Sequence, residues 1–261
     1  VAKVYNNFYD REKEGKFLDK MNQINQDGKF HIKKKYDYQA DIDGICRYTT
    51  VFKNGGITLD KIKEDKINPN VIKQLISLFE GLVIMSDNDY FHFDIKYNNI
   101  VYNENDGFRF IDFGLMEYDP HGKKSIYRSP FHPWDINFYV DRTDPKPTYN
   151  VFLFKYFNRF GYNYKYNHTF ELLWKELFTR DKDIERYKFF YSKYNRYKEN
   201  NILYQKQVIE TVDVYSLGIT LKRTPNIYNK MGENTKKLLE LMIHDNALER
   251  PRPKDALIMF V

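Results

Sequence analysis

The stretch YFHFDIKYNNIVYNENDGFRFIDFGL, from Tyr90 to Leu115, constrains this chain more than any other. It holds two short apolar runs, each ending in a carboxylate, joined by a hairpin. Tyr90–Phe93 reads as a short strand delivering Asp94. Ile100–Tyr102 and Phe108–Ile111 read as paired strands around the Asn-Asp-Gly turn at 105–107, delivering Asp112. Two acids therefore emerge at the same end of one small sheet.

Lys96 and Asn99 lie between them. In an extended loop, positions i and i+2 share a side, so Asp94 and Lys96 can converge on one group while Asn99 folds back to meet Asp112. An acid to hold a hydroxyl, a cation for a phosphate, and an Asn/Asp pair of oxygen ligands for a hard metal form the inventory that phosphoryl transfer needs. On these residues the chain resembles the protein kinases, because HFDIKYNN followed by DFG is similar to their catalytic loop and metal-binding segment. The resemblance implies that Asp94 orients and deprotonates a hydroxyl and that Lys96 neutralises the transferring phosphoryl. It also implies that Asn99 and Asp112 hold Mg2+, with His92, Phe113 and Gly114 in structural roles. Lys96, in the order Asp-x-Lys-x-x-Asn, is the feature similar to serine/threonine rather than tyrosine kinases.

Upstream, Val1–Val4 reads as a short strand carrying Lys3, and about Phe8 to Gln26 as a helix with Phe17, Leu18, Met21 and Ile24 on one face. Glu14 is in phase with that face and Glu12 is not. The resemblance implies a Lys3–Glu14 ion pair about the ATP phosphates. Phe30–Gln39 and Ile45–Phe52 read as two further strands, the second running into Lys53-Asn54-Gly55-Gly56. By resemblance this is the hinge, where backbone groups of Val51, Phe52 and Lys53 bond adenine and Thr50 guards the back of the pocket. Pro69 starts the next helix, with Val71, Leu75, Leu78, Phe79, Leu82 and Val83 as its buried stripe.

The loop from Gly114 to Trp134 occupies the place of the activation segment, and Asp135, after His132-Pro133-Trp134, stands for the glutamate that usually closes it. Phe93 replaces the arginine that many kinases use to receive an activating phosphate. The expected hold on the segment is therefore the packing of Phe131 and Trp134. An insertion over about 141–210, with helical periodicity near 169–179 and 183–199, separates this loop from Val212–Ile219, similar to a buried kinase helix led by Asp213. Glu233–Ile243 reads as an amphipathic helix. Glu249-Arg-Pro-Arg-Pro253 resembles the arginine–proline turn near the end of kinase domains, with Arg250 expected to pair with Asp135.

A chain of 261 residues can bury a substantial core, and 42% hydrophobic with 30% charged residues is a globular balance. The single cysteine, Cys46, excludes an internal disulfide, and no run of about 18 apolar residues marks a membrane span. The net charge of +6 is spread among acids, which favours a solvated surface over a nucleic-acid partner. The expected fold class is α+β: a bilobal, protein-kinase-like fold with an incomplete small β lobe (1–53) and a mainly helical large lobe (54–261). Because the chain opens at Val1 and no Gly-rich loop precedes Lys3, an N-terminally truncated domain is expected. The expected activity is transfer of the ATP γ-phosphate to Ser/Thr hydroxyls of a protein substrate, with ATP and Mg2+ as cofactors. The expected compartment is cytoplasmic, that of a host cell if a further resemblance to kinases of large DNA viruses holds. Two other readings stand beside it. One is a pseudokinase acting as a binding scaffold. The other is a small-molecule phosphotransferase of the same fold, a class that lacks the Lys96 position, the Asp-Phe-Gly and the arginine–proline turn.

Overall fold

The computed structural model describes residues 2–5, 7–42, 45–118, 132–133, 201–244 and 246–261. The chain divides into two compact units, one of Val1–Pro133, Glu210–His244 and Glu249–Val261, the other of Trp134–Ile209 and Asp245–Leu248. The second unit contains nearly all of the expected insertion, whose periodic segments lie outside the described residues, as do residues 119–131 of the expected activation loop, Trp134 and Asp135. The architecture of the first unit is mixed α+β, with small antiparallel sheets and helical stretches. Among the described residues no helix is long and apolar enough to cross a membrane.

The first sheet has the order β1 (Ala2–Tyr5), β3 (Ile45–Phe52), β2 (Lys34–Ile42). Helix α1 (Phe8–Ile24) follows β1, its start fixed by Asn7, whose side chain accepts the Asp10 N–H at 2.8 Å. Its inward face is the expected one: Leu18 and Met21 are buried, with Phe17 and Ile24 packed partly against the same core. Strand β2 starts at Lys34, not at Phe30. Phe30 and His31 are taken by a later strand, since the Phe110 N–H donates to the Phe30 carbonyl at 2.7 Å and His31 forms a parallel bridge with Phe110.

The second sheet joins β4 (Ile57–Thr58), β6 (Ile100–Asn103) and β7 (Gly107–Phe110), the last two forming the expected hairpin. Gly107 takes φ +73°, and the Asn103 side chain accepts the Asn105 and Asp106 N–H groups, so the turn chemistry read from the sequence is realised. The helix expected from Pro69 is two helices, α2 (Pro69–Lys73) and α3 (Ile76–Asp87). Between them Gln74 and Leu75 donate to carbonyls three residues back, a tighter turn that lets Leu75 into the core. On α3 Met85 is buried, whereas Val83 is only half-buried.

The core of this unit packs α3 against β7 and against α7 (Pro253–Phe260), where Phe79 stacks on Phe260 at 4.4 Å. Helix α4 (Asn201–Lys222) enters the unit from Glu210 onward and supplies Val214, Leu217 and Leu221 to the core. The short α5 (Pro225–Tyr228) and the amphipathic α6 (Glu233–Met242) complete it.

Gly81 marks the closest approach in this core. A Cβ there would lie 2.8 Å from both Cβ and Cγ of the fully buried Phe30. Gly81→Ala is therefore expected to destabilise the protein by about 1–3 kcal/mol through overpacking, despite the better helix propensity of alanine. Urea unfolding checks this, and an unchanged or higher midpoint would mean that Phe30 gives way at little cost.

Candidate functional site

The loop that carries Asp94 is shaped by a buried carboxylate far along the chain. Strand β5 comprises only Tyr90–Phe91 and pairs with β8 (Glu117–Tyr118). The expected strand stops there because Asp213 of α4 draws the next two amides away, accepting the His92 N–H at 2.6 Å and the Phe93 N–H at 3.0 Å. Phe93 takes φ +57°, the left-handed region, which for a residue of this bulk stores on the order of 1–3 kcal/mol. Further bonds secure the turn. The His132 Nε2 lies 2.6 Å from the Phe93 carbonyl, and the His92 Nε2 lies 3.2 Å from the Ile111 carbonyl. Each ring donates there as an N–H. Burial lowers the His92 pKa, so the ring is neutral, with Nδ1 unpartnered among the described residues.

Within that loop Lys96 Nζ donates to both oxygens of Asp94, at 2.9 and 2.8 Å. Asn99 Nδ2 donates to the Asp94 carbonyl at 2.9 Å and to its carboxylate at 2.7 Å. The structure thus brings Asp94 and Lys96 together as the spacing suggested, and adds Asn99, which was expected at Asp112. The orientation of Asn99 differs: its side chain turns to Asp94, and only its backbone carbonyl reaches toward Asp112, accepting the Ile111 N–H at 3.0 Å. Asp94 exerts the stronger pull because it offers two acceptors to one amide group.

Asp112 leaves β7 at φ +66° and meets Lys3, whose ammonium lies 2.7 Å from its Oδ1 and 2.5 Å from Glu14 Oε2. Three segments distant in sequence therefore share one cation. Burial pulls the Lys3 pKa down, but Glu14 and Asp112 together outweigh it and raise it, so the amine stays charged. Asp112 is pushed up by burial and pulled down more strongly by Lys3, ending below its ordinary value. Glu14 does not mirror this, because burial pushes it up by more than Lys3 pulls it down. The geometry settles the weighting: one ammonium flanked by two carboxylates leaves one negative charge unbalanced.

These groups line a cavity of about 390 Å³ with an apolar side formed by Leu18, Ile32, Val101 and Phe113. Phe113 is buried against the rings of His92 and His31, at 4.9 and 6.1 Å, and the site of a Gly114 Cβ would lie 3.4 Å from Asp112 Oδ1. Of the expected hinge, Phe52 and Lys53 line the cavity; Thr50 and Val51 do not. The Lys53 N–H already donates to the Lys33 carbonyl, at a long 3.4 Å. Gly56 is held to glycine by φ +96° and by the Tyr102 carbonyl oxygen, 1.9 Å from where its Cβ would stand.

Arg250 is 3% exposed, with Nε donating to the His244 carbonyl at 2.7 Å and Nη1 to Thr211 Oγ1 at 3.3 Å. Its expected partner Asp135 lies outside the described residues. His132 and Thr211 were not singled out as partners from the sequence, for they act on a backbone carbonyl and on an arginine that no local pattern connects to them.

Among the described residues no three His, Cys, Asp or Glu side chains are grouped to hold a metal ion. The site offers one carboxylate, Asp112, and one amide oxygen, Asn99, beside an unbalanced negative charge. That set suits Mg2+, which takes one or two protein carboxylates and completes its shell with water and phosphate oxygens. No family model matches this chain, and no curated protein matches it.

Asp213 yields a pH prediction. Burial, with the nearby Asp94 charge, pushes its carboxyl up to about 6 against the opposing pull of its two amide bonds. The folded value lies above the unfolded value of about 3.9, so this contribution to stability is complete below about pH 4 and is lost as pH rises through about 6. Asp213→Asn cannot ionise, and relative to the wild type it is expected to gain about 3 kcal/mol between roughly pH 4 and pH 7. Urea unfolding of both proteins across that range measures the difference, and a constant gap would assign the titration to another group.

Proposed function

We propose that this chain is a divergent protein kinase of bilobal fold, transferring the γ-phosphoryl group of ATP to Ser or Thr hydroxyls of a protein substrate. One observation carries the reading. A cation shared by Glu14 and Asp112 stands in the same cavity as Asn99, itself bonded to the Asp94 carboxylate and so to Lys96. Phosphoryl transfer asks little covalent chemistry of a protein and much positioning and charge stabilisation.

In this reading Lys3, steadied by Glu14, binds the α- and β-phosphates. Asp94 accepts the hydrogen bond of the attacking hydroxyl, which fixes the oxygen in line with the γ-phosphorus. The new O–P bond forms as the bond between the γ-phosphorus and the β–γ bridging oxygen breaks, ADP leaves, and the hydroxyl proton passes to Asp94. Lys96 moves from the Asp94 carboxylate toward the transferring group as charge gathers there. Asn99 and Asp112 would hold Mg2+, which when bound offsets the negative charge of the phosphate oxygens. The apolar wall of Leu18, Ile32 and Val101 suits a purine base.

A second reading, a binding scaffold without transfer, is favoured by the Lys53 amide, because its bond to the Lys33 carbonyl takes up a donor that adenine would need. Titration with a fluorescent ATP analogue, with and without Mg2+, separates the two. Removing a group used mainly in the transition state should leave nucleotide affinity nearly unchanged. Asp94→Asn is expected to bind ATP like the wild type while losing at least about a hundredfold in labelling of Ser/Thr peptides from γ-labelled ATP. Transfer that survives the substitution would remove Asp94 from its role, and a wild-type protein that binds ATP without transferring phosphate would favour the scaffold.

A further inference from the structure

The register of the first sheet lines up three polar residues. Lys3 of β1 and Asp37 of β2 each stand directly opposite Thr50 of the central strand β3. Directly opposed residues of antiparallel strands project to one face, so Lys3, Thr50 and Asp37 form a single row across the sheet. Helix α1 presents Arg11 and Glu14 to this row, three residues apart and hence on one helical face. Lys3 bonds Glu14 at 2.5 Å, and Asp37 bonds Arg11 at 2.7 Å.

Asp37 is itself held on several sides. Thr50 Oγ1–H donates to its Oδ1 at 2.6 Å, and Lys34 reaches its Oδ2 at 3.2 Å while also reaching Asp19 of α1 at 3.0 Å. Burial pushes the Asp37 carboxyl up, but Thr50, Lys34 and Arg11 together hold it below its ordinary value. Of the three ion pairs between sheet and helix, Lys3–Glu14 and Asp37–Arg11 have opposite polarity. A slide or rotation of α1 that exchanged partners would set Arg11 against Lys3 and Glu14 against Asp37, both repulsive. Only one azimuth of α1 satisfies both bonds.

We infer that Asp37 is a positioning residue for the Lys3–Glu14 pair, acting through Arg11 to fix the rotation of α1 about its axis. Thr50, expected to face the pocket, instead spends its hydroxyl on orienting Asp37. The consequence for nucleotide affinity rests on the kinase reading; the consequence for Lys3 does not.

Asp37→Asn keeps an oxygen for Thr50 and removes the charge, and Arg11→Met removes the other end of the bond. The readout is the rate at which the Lys3 amine is acylated, followed by mass spectrometry, with Lys222 and Lys236 as internal references remote from the sheet. In both variants Lys3 is expected to react at least about threefold faster, the scale of a part-exposed ion pair, with the reference lysines unchanged. Asp37→Glu, which keeps the charge, is expected to restore most of the wild-type rate. Titration with the fluorescent ATP analogue should then show weaker binding in the two charge-deleted variants by a similar factor. An unchanged Lys3 rate in both variants, or acceleration shared equally by Lys222 and Lys236, would overturn the assignment, the latter marking general loosening. If the wild type binds no nucleotide, the kinase reading falls and the acylation rates still decide the role of Asp37.

Discussion

The carboxylate of Asp213 is the point on which the candidate site hangs. It is buried, it lies on a core helix, and it takes up two consecutive amides that a strand would otherwise have used. A buried backbone N–H without a partner is costly, so drawing His92 and Phe93 out of the β5–β8 ladder is possible only because Asp213 receives both. The left-handed turn at Phe93 follows, and with it the projection of Asp94 from the end of the loop. His132 and His92 add bonds to carbonyls on either side, so the turn is over-determined, as a strained conformation must be to persist.

Charge balance decides how the other half of the cavity is assembled. Lys3 alone would be drawn down by burial, and Glu14 and Asp112 alone would repel one another; together the three hold β1, α1 and the segment after β7 in contact. A partly buried cation shared by two acids is a weaker source of stability than apolar packing of the same volume, but it is far more selective about geometry. The apolar core made by Phe30, Phe79, Phe108 and Phe110 supplies the stability that such a site does not.

What could be read from the sequence was what local rules govern. The hairpin around Asn105-Asp106-Gly107 was legible because that turn requires those residue types, and Glu14 was legible because helical phase sets it beside Leu18. The mixed α+β class was carried by the strand and helix patterns together with the motif resemblance. Where the reading erred, a distant partner overrode the local pattern: Phe110 captures Phe30 and His31, so β2 starts later, and Asp213 captures His92 and Phe93, so β5 ends early. Asn99 was correctly brought to the site but aimed at the wrong acid, because its choice between Asp94 and Asp112 depends on side-chain geometry that spacing does not encode. Thr50 was expected to guard the back of the pocket, and its partner Asp37 was missed because it depends on a register that shifts at a bulge between Lys34 and Tyr36.

The site therefore has a fixed part and a movable part, and the distinction follows from what each group is bonded to. Asp213, His92, Lys3, Glu14 and Asp37 are each bonded to an element other than their own, so moving any of them breaks a contact between elements. Lys96 and Asn99 bond to the acid within their own loop, and both of those bonds end on Asp94. An incoming polyanion competes directly for the Lys96 ammonium, whereas a hard cation would meet the Asn99 oxygen and leave the Nδ2 bond to Asp94 in place. On the proposed reading, departure of Lys96 would uncover one side of the Asp94 carboxylate as an acceptor for a hydroxyl proton is needed. On that reading, a base covered by the cation that its polyanionic substrate attracts stays paired in the substrate's absence and is released in its presence.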